Sequence, residues 1–202
     1  MPAGPPDDGP ADVDLVGPKR ALRLQMRAIR AAIAEDPADR AARSARIWAR
    51  IVSFVPFAEF AQTSRVMLFD GLPTEPETEP WAAWCRDRGV EVLLPAVHGP
   101  ALRVMPGDVD PGALDLVVVP GLAFTADGRR LGQGGGHYDR FLARLRPDCL
   151  TVGACFTEQL VRELPTEPHD QPVDAVATDS SEGLLHGRGA GRPRMLCKPR
   201  MR

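Results

Sequence analysis

The chain has 202 residues and a formal net charge of -2, so it has the length of one ordinary domain and no overall attraction for nucleic acid or anionic lipid. Hydrophobic residues make up 44% and charged residues 26% of the chain, which excludes disorder along its whole length. The four cysteines form no C-x-x-C pair, and no apolar run approaches the ~20 residues of a membrane span. Because the N-terminus has neither the basic nor the apolar region of a secretory signal, we expect a cytoplasmic protein without a membrane partner.

Two segments rich in proline and glycine flank one predicted domain, which covers residues 19–178. Residues 1–18 hold too few apolar side chains to fold and are predicted to be a disordered N-terminal tail. Residues 179–202 are predicted to be a flexible C-terminal tail with a cluster of arginines and lysines. Such a cluster is usually solvated, and RNA binding through it is the less favoured alternative, so no nucleic-acid partner is expected.

Helical and strand patterns alternate along this domain. Residues 19–33 carry apolar side chains at helical spacing, and Asp36-Pro37 predicts the start of a second helix that runs toward Ile51. Further helices are predicted at 81–88, 137–146 and 157–163, and strands at 65–69, 90–95, 115–120, 150–154 and 172–178. Short apolar strands separated by helices predict an α/β fold, a single compact domain with a mainly parallel sheet flanked by helices.

The first predicted helix also carries a basic stripe. Lys19, Arg23, Arg27 and Arg30 follow one another at spacings of four, four and three residues, which brings their side chains toward one face. For these residues taken by themselves, a solvated stripe is the favoured interpretation.

A loop rich in glycine and arginine follows the strand predicted to end at Pro120. Residues 128–136 include five glycines together with Arg129 and Arg130, and a helix is predicted to begin near His137. Glycines let backbone N–H groups approach a ligand, and ligands bind at the carboxyl ends of the strands in such sheets. The loop therefore predicts an anion site, although its spacing matches neither a Walker A motif nor a dinucleotide fingerprint. A flexible turn with solvated arginines is the alternative.

Residues 128–140 resemble the G-x-R-L-G-x-G-x-G-x-Y-D-R signature of the 5-formyltetrahydrofolate cyclo-ligase family. Four further segments are similar to elements of that family, so the resemblance covers roughly residues 19–178. These segments are Lys19-x-x-Leu22-Arg23, Glu75-Pro76-Glu77-Thr78, Val119 to Phe124, and Leu164-Pro165 with His169-Asp170. The resemblance implies a compact α/β enzyme that uses ATP and Mg²⁺ to convert 5-formyltetrahydrofolate into 5,10-methenyltetrahydrofolate, with release of ADP and phosphate.

The resemblance also implies a role for each matching residue. Arg130 and Tyr138 would be catalytic, with Arg130 stabilising charge on the transferring phosphoryl group. Asp139 and Asp170 would be Mg²⁺ ligands. The folate would contact Asp70, Glu75, Gln133, Gly134, Gly135, Gly136 and His137. ATP would contact Lys19, Arg20, Ala21, Leu22 and Arg23, and then Arg130, Leu131, Gly132, Gln133, Gly134, Gly135, Gly136, His137 and Tyr138.

Other interpretations stay open for some of these residues. Asp139 is also favoured near a helix N-terminus for electrostatic reasons, and isolated carboxylates such as Glu75 and Asp170 are usually solvated. The segment between Leu94-Pro95 and Asp115 is shorter than in the family and lacks its Gly-Ile-x-Glu-Pro-like turn. The alternative to the enzyme is therefore a diverged relative that binds nucleotide or folate without catalysing the reaction.

Overall fold

The computed structural model describes residues 16–55, 64–181 and 184–186, and regular elements alternate along these ranges. The helices are α1 (Val16–Ala34), α2 (Pro37–Phe54), α3 (Glu79–Arg86) and α4 (His137–Leu142). The strands are β1 (Arg65–Met67), β2 (Glu91–His98), β3 (Ala101–Met105), β4 (Leu116–Val119), β5 (Ala123–Phe124), β6 (Arg130–Leu131), β7 (Leu150–Ala154), β8 (Ala175–Ala177) and β9 (Leu184–His186).

Seven of these strands form one sheet in the order β3-β2-β1-β4-β7-β8-β9. The pairings from β2 through β8 are parallel, while β3 and β9 join the two edges antiparallel. The strands β5 and β6 pair separately as a short antiparallel ribbon. The predicted α/β fold with a mainly parallel sheet is therefore confirmed.

The central strand β4 shows why both faces of the sheet are covered. All four of its residues are buried, as expected for a parallel strand between two apolar layers. Leu116 and Val118 pack with the apolar side chains of α2 and α3, including Trp48 and Trp81, whose rings stack at 4.9 Å. Val117 and Val119 point to the opposite layer.

Local sequence signals account for several of the element boundaries. The Asp36 carboxylate caps α2 by accepting hydrogen bonds from the amides of Ala38 and Asp39, both at 3.0 Å, as the Asp-Pro pair predicts. The helix predicted at 157–163 is wrong, because only Thr157–Gln159 forms a 3₁₀ turn. The amide of Val161 instead donates to the carbonyl of Phe124 at 2.8 Å, which ties this segment to β5. The helix predicted at 137–146 ends earlier, at Leu142.

The described chain also extends past the predicted limits of the domain. Helix α1 begins at Val16, and β9 pairs with β8 beyond residue 178, while the domain limits of 19 and 178 stay a prediction. The rest of both predicted tails, including the basic C-terminal cluster, lies outside the described residues. In the described ranges, every helix is too short or too polar to span a bilayer.

A buried arginine joins α2 to the loops at the carboxyl ends of β7 and β8. The guanidinium of Arg43 donates to Asp179 at 2.7 Å and to Glu158, and it lies over the Phe156 ring at 5.0 Å. Burial acts to raise the pKa of Asp179, but hydrogen bonds from Arg43 and Thr157 outweigh burial and lower it. The native state therefore favours the ionised form of this carboxylate.

We expect Asp179→Asn to lower the free energy of unfolding by about 2 kcal/mol at pH 7, because a charged hydrogen-bond partner of a buried arginine is lost. The folded pKa of Asp179 lies below its ordinary value of 3.8, so this stabilisation is complete above that pH and declines as pH falls through the folded pKa. Urea unfolding of both proteins from pH 7 to pH 3 measures the difference. A difference that did not shrink below about pH 4 would contradict this account. Glu79→Gln, which alters an exposed pair, is the control.

Candidate functional site

A cleft of about 210 Å³ opens at the carboxyl end of β4, where α1 meets the glycine-rich loop. Most of the residues with predicted ligand contacts line it together, although they come from distant parts of the chain. They are Lys19, Arg23, Glu75, Arg130, Leu131, Gly132, Gln133, Gly134, Gly135, Gly136, His137, Tyr138, Asp139 and Asp170.

Four residues with predicted ligand contacts are not part of this lining. Arg20 and Ala21 are exposed, because only positions one turn apart on α1, such as Lys19 and Arg23, face the cleft. Leu22 packs in a small apolar cluster with Leu122 and its neighbours. Asp70 is exposed beyond the end of β1.

The glycine-rich loop is held in a conformation that requires glycine at two positions. Gly134 has φ +109° and Gly136 has φ +64°, values that side chains other than glycine rarely adopt. A Cβ atom at Gly134 would lie 3.5 Å from the guanidinium carbon of Arg23. The Nε of Arg23 donates to the carbonyl of Gly132 at 3.1 Å, so α1 braces the loop directly.

The predicted metal ligands and the predicted phosphate-binding cations contact each other. Lys19 Nζ donates to Glu167 at 2.6 Å and to Asp170 at 2.9 Å. Arg130 donates to Asp139 at 2.9 Å, and the amide of Gln171 donates to the same carboxylate oxygen at 3.2 Å. The cleft thus holds two cation–carboxylate groups side by side.

The pKa values of Lys19 and Asp170 follow from this contact. Burial disfavours the ammonium of Lys19, but the hydrogen bonds and charges of Glu167 and Asp170 outweigh burial and raise its pKa. Burial likewise disfavours the ionised carboxylate of Asp170, but hydrogen bonds from the Glu167 amide and from Lys19 outweigh burial and lower the pKa of Asp170. Both groups therefore carry their charges at neutral pH. A charged ammonium can bind phosphate, and an ionised carboxylate can bind a cation.

Tyr138 lies beneath Arg130, whose guanidinium carbon is 5.5 Å from the centre of the phenol ring. Within the described part of the chain, the buried Tyr138 hydroxyl and the buried Arg130 Nε have no hydrogen-bond partner. Burial raises the pKa of Tyr138, with Arg130 opposing that effect. The phenol therefore stays protonated near neutral pH and can donate a hydrogen bond but is a poor base.

The hairpin of β2 and β3 forms an apolar wall of the cleft that sequence reasoning did not predict. Val97 and Leu102 pair across this hairpin and line the cleft. Its turn is fixed by one carbonyl, that of Pro100, which accepts hydrogen bonds from Arg140 Nε at 3.0 Å and Nη2 at 2.8 Å. His137 Nδ1 lies 3.2 Å from the same oxygen. The Gly99-Pro100 pair, which is typical of a turn, was the sequence signal that could have predicted this hairpin.

Three further polar residues at the site were also missed. Glu167 lines the cleft and pairs with Lys19, and His169 lies beside it. Arg140 is the last residue of the glycine-rich signature, and this position in the motif indicates a role at the loop. Glu167 stands two residues before His169-Asp170, but a lone glutamate in a loop carries no signal that distinguishes it from a solvated residue.

The fold and the site define an α/β protein with a cleft that combines basic side chains, carboxylates and a glycine-rich loop. The sequence profile of the 5-formyltetrahydrofolate cyclo-ligase family matches residues 97–179. A 5-formyltetrahydrofolate cyclo-ligase of Mus musculus is 41% identical over 76 residues, which cover 35% of this chain and 36% of the mouse protein. One from Escherichia coli K12 is 43% identical over 86 residues, covering 42% of this chain and 46% of that protein. The matched segments thus span less than half the length of these relatives.

Two solved structures share the fold over most of the chain. A 5,10-methenyltetrahydrofolate synthetase from Mycoplasma pneumoniae superposes with a TM-score of 0.72 at 21% identity, covering 80% of this chain and 99% of that one. One from Aquifex aeolicus has a TM-score of 0.69 at 27% identity, covering 86% and 94%. The chain's resemblance to the 5-formyltetrahydrofolate cyclo-ligase family is therefore confirmed.

We expect Gly134→Ala to weaken binding of ATP, the proposed ligand, about tenfold in calorimetric titrations, because alanine at φ +109° costs roughly 1–2 kcal/mol and would shift the loop backbone. Gly107→Ala is the matched control, since Gly107 has φ +85° and open space around it, away from the cleft. It should lose similar stability and keep its ATP affinity. Equal ATP affinities for the two variants would contradict the role of the loop.

We expect Arg140→Ala to release the hairpin turn, because the Pro100 carbonyl loses its guanidinium donors. Amide hydrogen exchange in β2 and β3 should accelerate about tenfold, as the loss of charged hydrogen bonds worth roughly 1.5 kcal/mol implies. Arg144→Ala, at an exposed position just past α4, is the control and should leave this exchange unchanged. Unchanged hairpin exchange in Arg140→Ala would show that other contacts fix the turn.

Proposed function

We propose that the chain is an ATP-dependent 5-formyltetrahydrofolate cyclo-ligase, which forms 5,10-methenyltetrahydrofolate, ADP and phosphate. The observation that carries the proposal is the shared cleft, where Lys19, Arg23 and Arg130 meet the glycine-rich loop and two carboxylates. These side chains come from α1, from β6 and the loop that follows it, and from the loop before β8. Together they provide the positive charge and backbone donors that a nucleoside triphosphate requires.

The triphosphate of ATP would bind at the basic end of the cleft. Lys19 is buried there and keeps its charge, and Arg23 already contacts the loop backbone at Gly132. The Nε of Arg130 is buried and has no hydrogen-bond partner within the described residues, so it would donate to a phosphate oxygen that comes into contact with it. Arg130 is therefore the residue that we expect to stabilise charge on the transferring phosphoryl group.

Asp139 and Asp170 would hold Mg²⁺ beside the phosphates. Carboxylate oxygens are the ligands that Mg²⁺ prefers, and both residues line the cleft next to the cations that would bind phosphate. When bound, Mg²⁺ would neutralise phosphate charge during the transfer. Lys19 contacts one oxygen of Asp170 and Arg130 contacts one oxygen of Asp139, so the second oxygen of each carboxylate would be the one offered to Mg²⁺.

The reduced folate would occupy the other part of the cleft. Glu75 is buried at its lining and offers a carboxylate to the N–H groups of the substrate. Val97 and Leu102 supply apolar surface, and the rings of His137 and Tyr138 can pack against a planar ligand. The loop residues Gln133, Gly134, Gly135 and Gly136 would border both ligands.

The reaction would proceed in two displacements. The formyl oxygen attacks the γ-phosphorus, the new O–P bond forms, and the bond to ADP breaks. The N10 amine then attacks the formyl carbon, the C–O bond breaks, phosphate leaves, and N10 loses its proton. The protein contributes alignment of the formyl group with the triphosphate and neutralisation of the charge that moves between them.

A relative that binds nucleotide or folate without turnover is the second candidate. It was suggested by the short segment between residues 95 and 115. This segment forms β3, and its Leu102 lines the cleft, so the shorter segment still contributes to the ligand-binding surface that both candidates require. A cytoplasmic location remains a prediction from the sequence.

We expect purified protein with ATP, Mg²⁺ and 5-formyltetrahydrofolate to form the methenyl product, followed by near-ultraviolet absorbance, with one ADP released per product. Arg130→Met should lower kcat about a hundredfold or more, the usual cost of removing a donor aimed at developing charge. Arg86→Ala is the control, because this arginine forms only an exposed pair with Glu79 on α3. Wild-type protein that binds ATP but yields neither product nor ADP would favour the non-catalytic relative.

A further inference from the structure

The basic face of α1 continues past the residues proposed to bind ATP to a fully buried arginine. Arg30 lies about three turns along α1 from Lys19 and is only 2% exposed. Its Nε donates to the Thr74 carbonyl at 3.1 Å, and its Nη2 donates to the Thr74 hydroxyl at 2.7 Å. Its Nη1 lies 3.1 Å from Glu75 Oε1. All three guanidinium nitrogens therefore face one short segment, residues 74 and 75.

Glu75 is the only acidic partner that the described structure gives Arg30, and it lines the cleft from a buried position. Its second oxygen, Oε2, accepts a hydrogen bond from the amide of Leu72 at 3.0 Å. The contact between Arg30 Nη1 and Oε1 is close, but the N–H is not aligned for a hydrogen bond. Within the described residues, Oε1 is thus electrostatically paired and still able to accept a hydrogen bond from a ligand.

The rest of the segment is held by α2 and not by Arg30. Arg40 donates to the carbonyl of Glu75 at 3.0 Å and to the carboxylate of Glu77 at 2.6 Å. The hydroxyl of Ser44 accepts from the amide of Glu77 at 3.0 Å. These contacts hold the backbone at Glu75 and Glu77, whereas Arg30 holds the Thr74 carbonyl and is, within the described residues, the cation paired with the Glu75 carboxylate. Loss of Arg30 would therefore change the carboxylate more than the path of the chain.

We infer that Arg30 is a positioning residue that holds the Glu75 carboxylate in place at the cleft for the folate substrate. This inference rests on the proposed function, because it assigns Glu75 to folate and not to ATP. A guanidinium beside a buried carboxylate offsets part of the cost of burying that charge and limits the orientations of its oxygens. Arg30 thus acts on substrate binding through Glu75 without touching the substrate.

We expect Arg30→Met to raise the KM for 5-formyltetrahydrofolate about tenfold or more, with the KM for ATP changed less than about twofold. Glu75→Gln should have a similar effect. The double variant should be little worse than Glu75→Gln alone, because both substitutions remove one interaction. Arg30→Lys should recover part of the folate affinity, since it keeps the charge without the planar set of donors.

Arg43→Met is the matched control, because Arg43 is also a buried arginine with carboxylate partners but lies away from the cleft. It should lower stability and leave both KM values unchanged. An active protein in which Arg30→Met loses stability yet keeps its folate KM would overturn the inference. If Arg30→Met does not fold, Thr74→Val removes the hydroxyl that accepts from Arg30 Nη2, and it should raise the folate KM in the same selective way.

A second measurement separates this inference from the proposed function. Hydrogen exchange at the Leu72 amide reports directly on whether Glu75 Oε2 is held in place. It should accelerate in Arg30→Met and in Glu75→Gln but not in Arg43→Met, whether or not the wild-type protein is active. Unchanged exchange at Leu72 in Arg30→Met would contradict the positioning role, whereas absence of wild-type turnover would contradict only the proposed function.

Discussion

One face of α1 organises the whole cleft. Lys19 contacts the loop before β8, Arg23 contacts the loop after β4, and Arg30 contacts the segment after β1. These three segments are far apart in the chain, and each brings a carboxylate or a backbone carbonyl to the same helix. Because the side chains repeat at nearly helical spacing, a single rigid element sets their separations.

The cleft keeps its charges balanced by pairing them. Each carboxylate proposed to bind Mg²⁺ contacts a cation proposed to bind phosphate, and these contacts are partly buried. Pairing avoids the large cost of burying isolated charges, and the same groups can exchange partners when phosphate and a divalent ion enter together. The arrangement suits a site that must bind a highly charged ligand reversibly.

The apolar side of the cleft is built differently, from a hairpin at the edge of the sheet. Among the described strands, β3 is the edge of its sheet, and the turn between β2 and β3 contacts α4 through the Pro100 carbonyl. The glycine-rich loop and the hairpin are thus coupled through Arg140, which also donates to the carbonyl of Gly135 at 2.7 Å.

The sequence by itself determined the fold class, the parallel strands and the glycine-rich loop. Apolar periodicity and the signature at residues 128–140 are local, and burial of β4 on both faces follows from its composition. Arg20, Ala21, Leu22 and Asp70 could not be separated from the true lining, since adjacency in a motif does not fix which side of a helix or loop faces the cleft. The tertiary structure alone decided that Lys19 and Arg30 of the basic stripe are buried and that Lys19, Arg23 and Arg30 are paired. Their partners Glu167, Gly132 and Thr74 lie 44 to 148 residues away in the chain. Contacts between residues so far apart in the sequence depend on tertiary packing, and they produce no periodic pattern in the sequence.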